Sequence, residues 1–283
     1  MLERVPLQPL DYLVIGHVTQ DLTQNGPRLG GTAAFSALTA RALGSRVGVV
    51  TSGNEETSMK ALDGIPIISI PSEYTTTFEN IYNSEAGRTQ ILHHQAAHIP
   101  FDLVPEVWRS TPIIHLGPVA QELDSELPKN LSPSLLGITP QGWMRTWDDD
   151  GHIIPCKWQN ADSILPQAAT VAISREDVGG DEEWIEAMAH QTQVLAVTEA
   201  EAGAVLYWNG DRRRFRAPAV KEVDATGAGD IFATAFFIRL HETRDPWEAA
   251  RFATQLSARS VMRVGLEGIP TQQEIDECLM EVF

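Results

Sequence analysis

The run Asp224-Ala225-Thr226-Gly227-Ala228-Gly229-Asp230 joins two carboxylates to small residues just ahead of an apolar stretch, Ala233 to Leu240. Its chemistry is anion handling. Gly227 and Gly229 let the backbone turn tightly, so that successive N–H groups converge on one point. Those N–H groups are also the unpaired donors of a helix N-terminus, which favours phosphate or a developing oxyanion. Asp230 falls in the first helical turn, where a carboxylate serves either as a helix-dipole partner or as a general base. Other candidates lie far away in the chain. Asp21 follows an apolar run ending at Gly16, Gly30-Gly31 opens an alanine-rich segment, and Gly265 precedes Gly268-Ile269-Pro270.

The elements that must position these groups read as α/β. Tyr12 to Gly16, Val47 to Val50, Ile67 to Ile70, Ile113 to Leu116, Leu135 to Thr139, Val171 to Ser174 and Val194 to Thr198 are short apolar strands. Helical spacing falls between several of them, as in Thr32 to Leu43, closed by Gly44, and in Asp181 to His190. That alternation predicts a mostly parallel sheet covered on both faces, with ligands beyond the carboxyl ends of its strands. Two hairpins interrupt it: Thr75 to His93 around Ser84-Glu85-Ala86-Gly87, and Ala204 to Arg216 around Asn209-Gly210. The C-terminal part reads as helices over Gly227 to His241, Pro246 to about Arg263 and Thr271 to Met280.

Composition narrows the partners. At 283 residues the chain is long enough for a sizeable core, and its formal net charge of −17 argues against nucleic acid or an anionic membrane surface. Lysine is confined to Lys60, Lys129, Lys157 and Lys221, so a polyanionic substrate needs helix N-termini, arginines and a divalent metal. Cys156 and Cys278 form no CxxC pair, which argues against a disulfide framework or structural zinc. The start, Met1 to Pro6, has no signal-peptide core, and no apolar run approaches a membrane span, so a cytoplasmic location is expected. Walker A, HExxH and GxSxG patterns are missing from the sequence.

Taken together, Gly16…Asp21, Gly30-Gly31 leading to Leu43-Gly44, and Asp224 to Asp230 resemble the PfkB/ribokinase family of small-molecule kinases over essentially the whole chain. The resemblance implies a single domain over 1–283: a ribokinase-like three-layer α/β sandwich with a mostly parallel central sheet and a small β lid from about 17–32 and 74–98. It implies that Asp230 takes the proton of the acceptor hydroxyl as that oxygen attacks the γ-phosphate of ATP. The amides of Gly227, Ala228 and Gly229 would form the anion hole. Asp21, Gly30 and Gly31 would hold the acceptor's hydroxyls, against the plainer reading of Asp21 as a solvated turn carboxylate.

The family's N-x-x-E site for magnesium is met here by Ser174 with Glu176 and Asp177, which are oxygen donors suited to holding the ion through water. The nucleotide loop is matched by Thr198, Glu199 and Gly203, with Ala200 where glycine is common; Ser174, Thr226, Gly227, Gly229 and Gly265 complete the nucleotide set. Phe252, Ala253, Thr254, Ser257 and Val264 stand near an adenine wall or, by periodicity alone, in the core. A monovalent cation is expected near Asp224.

Phe35, Gly117-Pro118-Val119-Ala120 and Gln141 to Arg145 are similar to myo-inositol kinase-like members, which favours a sugar or cyclic polyol as acceptor, with Phe35 on its pocket wall. A nucleoside kinase of the same family and a catalytically weak sugar- or nucleotide-binding protein are the alternatives. The chain is expected as a monomer or a homodimer through the lid. His94 and His98 have i, i+4 spacing, and Arg212-Arg213-Arg214 follows a hairpin turn. Both read as strand-end residues rather than as ligand sites. Trp143, Arg145 and Trp147 either line the site or cap the sheet.

Overall fold

Short strands buried on both faces are joined by helices and turns in the order β1 (Tyr12–Ile15), β2 (Thr19–Leu22), β3 (Arg28–Gly30), α1 (Gly31–Ala42), β4 (Val47–Gly53), β5 (Ile67–Pro71), β6 (Thr76–Asn83), β7 (Gly87–His94), β8 (Ile113–Leu116), β9 (Leu135–Ile138), β10 (Arg145–Trp147), β11 (Ile153–Pro155), α2 (Ala161–Ile164), β12 (Thr170–Ser174), α3 (Glu182–Gln191), β13 (Val194–Thr198), β14 (Ala204–Trp208), β15 (Asp211–Phe215), α4 (Ala228–Thr243), α5 (Pro246–Ser260) and α6 (Gln272–Met280). This computed structural model describes residues 7–83, 87–124 and 131–280. The start Met1 to Pro6, the hairpin turn at Ser84-Glu85-Ala86 and Lys129 lie outside the described residues.

The main sheet has nine strands in the order β15-β14-β13-β12-β9-β8-β1-β4-β5. It is parallel from β13 to β5, and β14 and β15 add an antiparallel edge. Alternate residues face opposite sides. Tyr12, Val14, Val49, Ile113 and Ala196 point toward α1, α4, α5 and α6. Leu13, Ile15, Val50, Ile114, Leu195 and Val197 face α3, Trp108, Trp143 and Trp158. This is the three-layer α/β sandwich that the resemblance implies. Helix α4 buries residues all around its axis because it is pressed between the sheet and α5, which makes its uniformly apolar run intelligible. Gly137 on β9 lets it come close: a Cβ there would lie 2.5 Å from the Phe237 ring.

Chain order reverses between β1 and β8, whose ends at Ile15 and Leu116 are paired. Gly16 and Gly117, the next residues, are in contact, and a Cβ on Gly16 would lie 2.3 Å from the Gly117 carbonyl oxygen. A crevice at such a switch point is where open α/β sheets bind ligands.

A second sheet of four strands, β3-β2-β6-β7, stands over that end. Phe78 and Leu92 on it form a small core with Val119, Ala120, Trp147 and Ile153, the last two on the β10–β11 hairpin. The sequence pattern predicts only the β6–β7 hairpin here. Strands β2 and β3 escape it because Thr-Gln-Asp-Leu and Arg-Leu-Gly carry no clear alternation and are too short to register as a period. Among the described residues no helix is long and apolar enough to cross a membrane.

Candidate active site

The loops after β1, β8, β9, β12 and β13 open on one edge of the sheet, and the Asp224–Asp230 turn faces them. Asp224 fastens that turn. Its Oδ1 accepts the Thr226 N–H and its Oδ2 the Gly265 N–H, both at 2.9 Å. Thr226 and Gly265, 39 positions apart in the chain by their numbers, thereby become neighbours at the start of α4. The carboxylate expected beside a monovalent cation is thus itself a backbone staple.

Gly227 is left-handed at φ +80°, and a Cβ there would meet the Phe35 ring at 2.2 Å. Only glycine suits that position, on both counts. The same contact corrects the expectation for Phe35. Its ring is 1% exposed and supports the anion turn from below, so it does not line an acceptor wall. Gly229 also departs from expectation: its φ lies outside the left-handed range, and a Cβ would meet nothing within 4 Å. The turn does not need glycine there; the position is open surface beside Asp230. Ala228 is corrected as well, since its N–H donates to the Ala225 carbonyl at 3.2 Å and is spent on the turn. The amides of Gly227 and Gly229 lie at the start of α4 on either side of it.

The Asp230 carboxyl lies deep in the site although the residue keeps some accessible surface. Burial raises its pKa to about 6; a hydrogen bond from Thr32 and the Arg145 charge pull it down, while Asp177 and Asp21 push it further up. Those influences also locate the neighbours. Thr32 is hydrogen-bonded to the carboxyl, and Arg145, Asp177 and Asp21 are near enough for their charges to act on it.

Asp21 reaches this place from β2, whose pairing with β3 sets Thr19 opposite Gly30 and Asp21 opposite Arg28. Its carboxylate lies directly over Gly30, where a Cβ would be 2.4 Å from Asp21 Oδ2. Gly31, at φ +84°, turns the chain into α1 with the His17 carbonyl and the Thr19 amide on its open side.

At the end of β12, Asp177 Oδ2 accepts the Ser174 N–H at 2.8 Å and Oδ1 accepts from Gln141 Nε2 at 2.9 Å. Ser174 Oγ accepts the Glu176 N–H at 3.1 Å, and the Glu176 residue is exposed. Asp177 is therefore the fixed, inward carboxylate and Glu176 the outer one. Among the described residues no group of three or more His, Cys, Asp or Glu is gathered into a metal cage.

Thr198, Glu199 and Gly203 sit at the end of β13, next to Ser174 across the paired strands. Thr198 Oγ1 donates to the Ile173 carbonyl at 3.3 Å. Glu199 is ion-paired with Arg175, at 2.6 Å, and with Arg214. Burial opposes ionisation of Glu199, but the Arg214 and Arg175 guanidiniums outweigh it and hold the carboxyl below its ordinary range. Gly203, at φ +97°, has the Phe215 carbonyl 2.0 Å from where a Cβ would stand. Ala200 takes φ +48°, the conformation for which the usual glycine is suited.

Several other expectations separate cleanly. Phe252, Ala253 and Thr254 are core, with the Thr254 hydroxyl on the Ala250 carbonyl at 2.7 Å. Ser257 points its hydroxyl back to the Thr254 carbonyl at 3.4 Å. His94 stacks on Tyr74 and His98 pairs with Asp124, so they do not converge on a metal. Arg212 and Arg213 lie over the Tyr207 and Trp247 rings. Trp143 is buried against Trp158, Trp147 joins the small-sheet core, and Arg145 is the member of that trio that acts on Asp230.

The motif reading gave no site role to Thr32, His17 or Glu122, and took Gln141 only as part of a family-like run. Thr32 follows Gly30-Gly31 directly and so carried a positional signal. The others are brought to the site by long-range contacts that spacing does not encode.

Residues 152–272 match the family model for pfkB family carbohydrate kinase. Ribokinase of Bacillus subtilis is 36% identical over 97 residues, covering 33% of this chain and 32% of that protein. Inositol 3-kinase of Zea mays is 31% identical over 135 residues, covering 46% of this chain and 34% of that protein. The chain thus matches about a third of the length of these curated relatives. Among solved structures, a pyrophosphate-dependent kinase in the ribokinase family complexed with a pyrophosphate analog and myo-inositol superposes with a TM-score of 0.77, at 19% identity over 94% of this chain and 99% of that one. A putative ribokinase II from E. coli in complex with ATP and Mg2+ gives 0.71, at 17% identity over 95% and 98%. Residues 152–272 thus match the pfkB family model within a chain whose fold is ribokinase-like.

Proposed function

We propose that this protein transfers the γ-phosphoryl group of magnesium-bound ATP to a hydroxyl of a small carbohydrate or cyclic polyol. The observation that carries the reading is the raised carboxyl of Asp230 set beside the Gly227 and Gly229 amides at one helix N-terminus. A carboxylate with a pKa near 6 is ionised at neutral pH yet basic enough to accept a proton as it leaves a hydroxyl. The acceptor O–H proton passes to Asp230 while its oxygen forms a bond to phosphorus and the bridging P–O bond of the donor breaks. Charge on the transferring group meets the two glycine amides and the positive end of α4. Arg145 supplies a cation at the same place. Asp21, seated over Gly30, accepts hydrogen bonds from acceptor hydroxyls.

The oxygen-only chemistry of Asp177 and Glu176, and the fixed orientation of the former, suit a magnesium ion that keeps most of its waters. When bound, the ion would neutralise donor phosphate charge among these carboxylates. Thr198, Gly203, Thr226 and Gly265 would border the nucleotide, with Ser174 and Glu199 shaping its loop. A monovalent cation beside Asp224 belongs to this proposal; equal turnover in potassium and tetramethylammonium salts removes it. The small sheet over 17–32 and 74–98 acts as a lid that excludes water from the transfer.

Pyrophosphate is the second donor to test, because the Ser174 and Ala200 departures fall in the nucleotide region. The experiment mixes protein and magnesium with ATP or pyrophosphate and a panel of cyclic polyols, sugars and nucleosides, and detects phosphate esters by mass. Ester formation with a polyol or sugar supports the reading. Esters from nucleosides alone move the acceptor class. Ligand-dependent stabilisation without any ester replaces the kinase by a binding protein.

A further inference from the structure

His17 is fully buried between the end of β1 and the start of β2, and both its ring nitrogens and its backbone N–H have partners. Its Nε2 lies 2.9 Å from the Ala97 carbonyl, so that nitrogen bears the hydrogen. Thr76 Oγ1, at the first residue of β6, is 2.6 Å from Nδ1 and accepts the Ala96 N–H at 3.0 Å. The Thr76 hydroxyl thereby ties His17 Nδ1 to the chain that follows β7. The His17 N–H donates to Glu122 Oε1 at 2.9 Å.

Glu122 is 1% exposed, and its carboxylate also accepts the Val119 N–H at 3.0 Å and the Ala120 N–H at 2.7 Å. Gln95 Nε2 donates to the Ala120 carbonyl at 2.6 Å, and Val18 N–H to Thr51 Oγ1 at 2.8 Å. Three roots of the small sheet meet here: Val18 before β2, Thr76 opening β6, and Gln95 to Ala97 after β7. So does the loop that follows β8 and packs Gly117 against Thr32, the residue hydrogen-bonded to Asp230.

We propose that His17, Thr76 and Glu122 are positioning residues forming a latch that seats the lid on the catalytic floor. They touch neither substrate. They act through Asp21, four residues beyond His17 on β2, by fixing where that strand leaves the main sheet. Buried hydrogen bonds at a hinge set its geometry, because leaving one partner unpaired costs more than the bond itself contributes. The kinetic consequence rests on the kinase reading; the latch itself does not.

Thr76→Val and Thr76→Ser test it. The first keeps volume and loses the hydroxyl; the second keeps the hydroxyl and loses a methyl. Amide hydrogen exchange followed by mass spectrometry should show β6 and β7 exchanging about tenfold faster in Thr76→Val, with the main-sheet strands unchanged. Thr76→Ser should match the native protein. With the acceptor found above, Thr76→Val should raise its KM about tenfold and leave the donor KM unchanged. Glu122→Gln should act in the same direction and also loosen residues 117–120.

Native-like exchange in Thr76→Val overturns the latch, and so does a Thr76→Ser as loose as Thr76→Val, which would make the contact one of packing. Faster exchange with an unchanged acceptor KM overturns the positioning role. If no acceptor is ever phosphorylated, the kinase reading fails while the exchange comparison still decides the latch.

Discussion

Burial raises the carboxyl of Asp230 to about 6, and that has two consequences of opposite value. The folded protein holds this proton more tightly than the unfolded chain, whose carboxyl titrates near 3.8. Stability from this group is thus present at low pH and is lost as pH rises from about 3.8 to about 6. At pH 7.5 we expect Asp230→Asn to be more stable than the native protein by about 1–3 kcal/mol, read by denaturant unfolding. The same variant should lose roughly 10²–10⁴-fold in kcat. If Asp230 is the base proposed above, kcat/KM of the native protein should climb with pH through about 6 and then level. The two glycines divide similarly. Gly227→Ala meets the Phe35 ring and a left-handed φ, so it should cost about 2 kcal/mol or more. Gly229→Ala should leave the Tm equal or slightly higher, since alanine favours a helix by up to ~1 kcal/mol. It should nonetheless lower turnover by crowding the anion approach. Differential scanning calorimetry beside a turnover assay separates the two outcomes.

At the scale of elements, the legible parts were those whose pattern is local. Val194 to Thr198, predicted as a strand, has those bounds in β13, and Asp181 and Asp245 cap α3 and α5 through their side chains. The Asp224–Asp230 turn was legible because glycine, carboxylate and apolar run are contiguous. The place of Phe35 is not legible for the opposite reason: nothing near it in sequence says that Gly227 will rest on its ring. Likewise Ala228 reads as an anion-hole donor until the Ala225 carbonyl takes its amide. His17 and Glu122 look unremarkable in sequence, since their meaning comes from partners about 100 positions apart. At the β13–β14 connection, Ala200 carries a backbone cost of about 1–2 kcal/mol in the left-handed region. We expect Ala200→Gly to stabilise the protein by up to about 1 kcal/mol in chemical denaturation, with the donor KM reporting whether the loop geometry also matters.

For the whole molecule, the acidic surface and the sheet topology act together. The switch point between β1 and β8 lets loops from both halves of the sheet reach one crevice, and the β2–β6 pairing hangs the small sheet over it. Into that crevice project Asp21, Asp177 and Asp230, on a chain with a net charge of −17. A phosphate donor approaching it is repelled at long range. Raising ionic strength from about 10 to 150 mM shortens the screening length from roughly 30 to 8 Å, so the donor KM should fall with added salt, by about two- to threefold. A basic phosphate-binding surface would show the reverse. The most direct test of the account compares native protein and Asp230→Asn in a single-turnover reaction with magnesium, donor and the acceptor found by the ester screen. We expect the native protein to convert bound acceptor to its phosphate ester, and Asp230→Asn to bind both substrates with native affinity and form ester at least about a hundredfold more slowly. Equal rates of ester formation in the two proteins would contradict Asp230 as the base and, with it, the assignment of the Asp224–Asp230 turn as the transfer site.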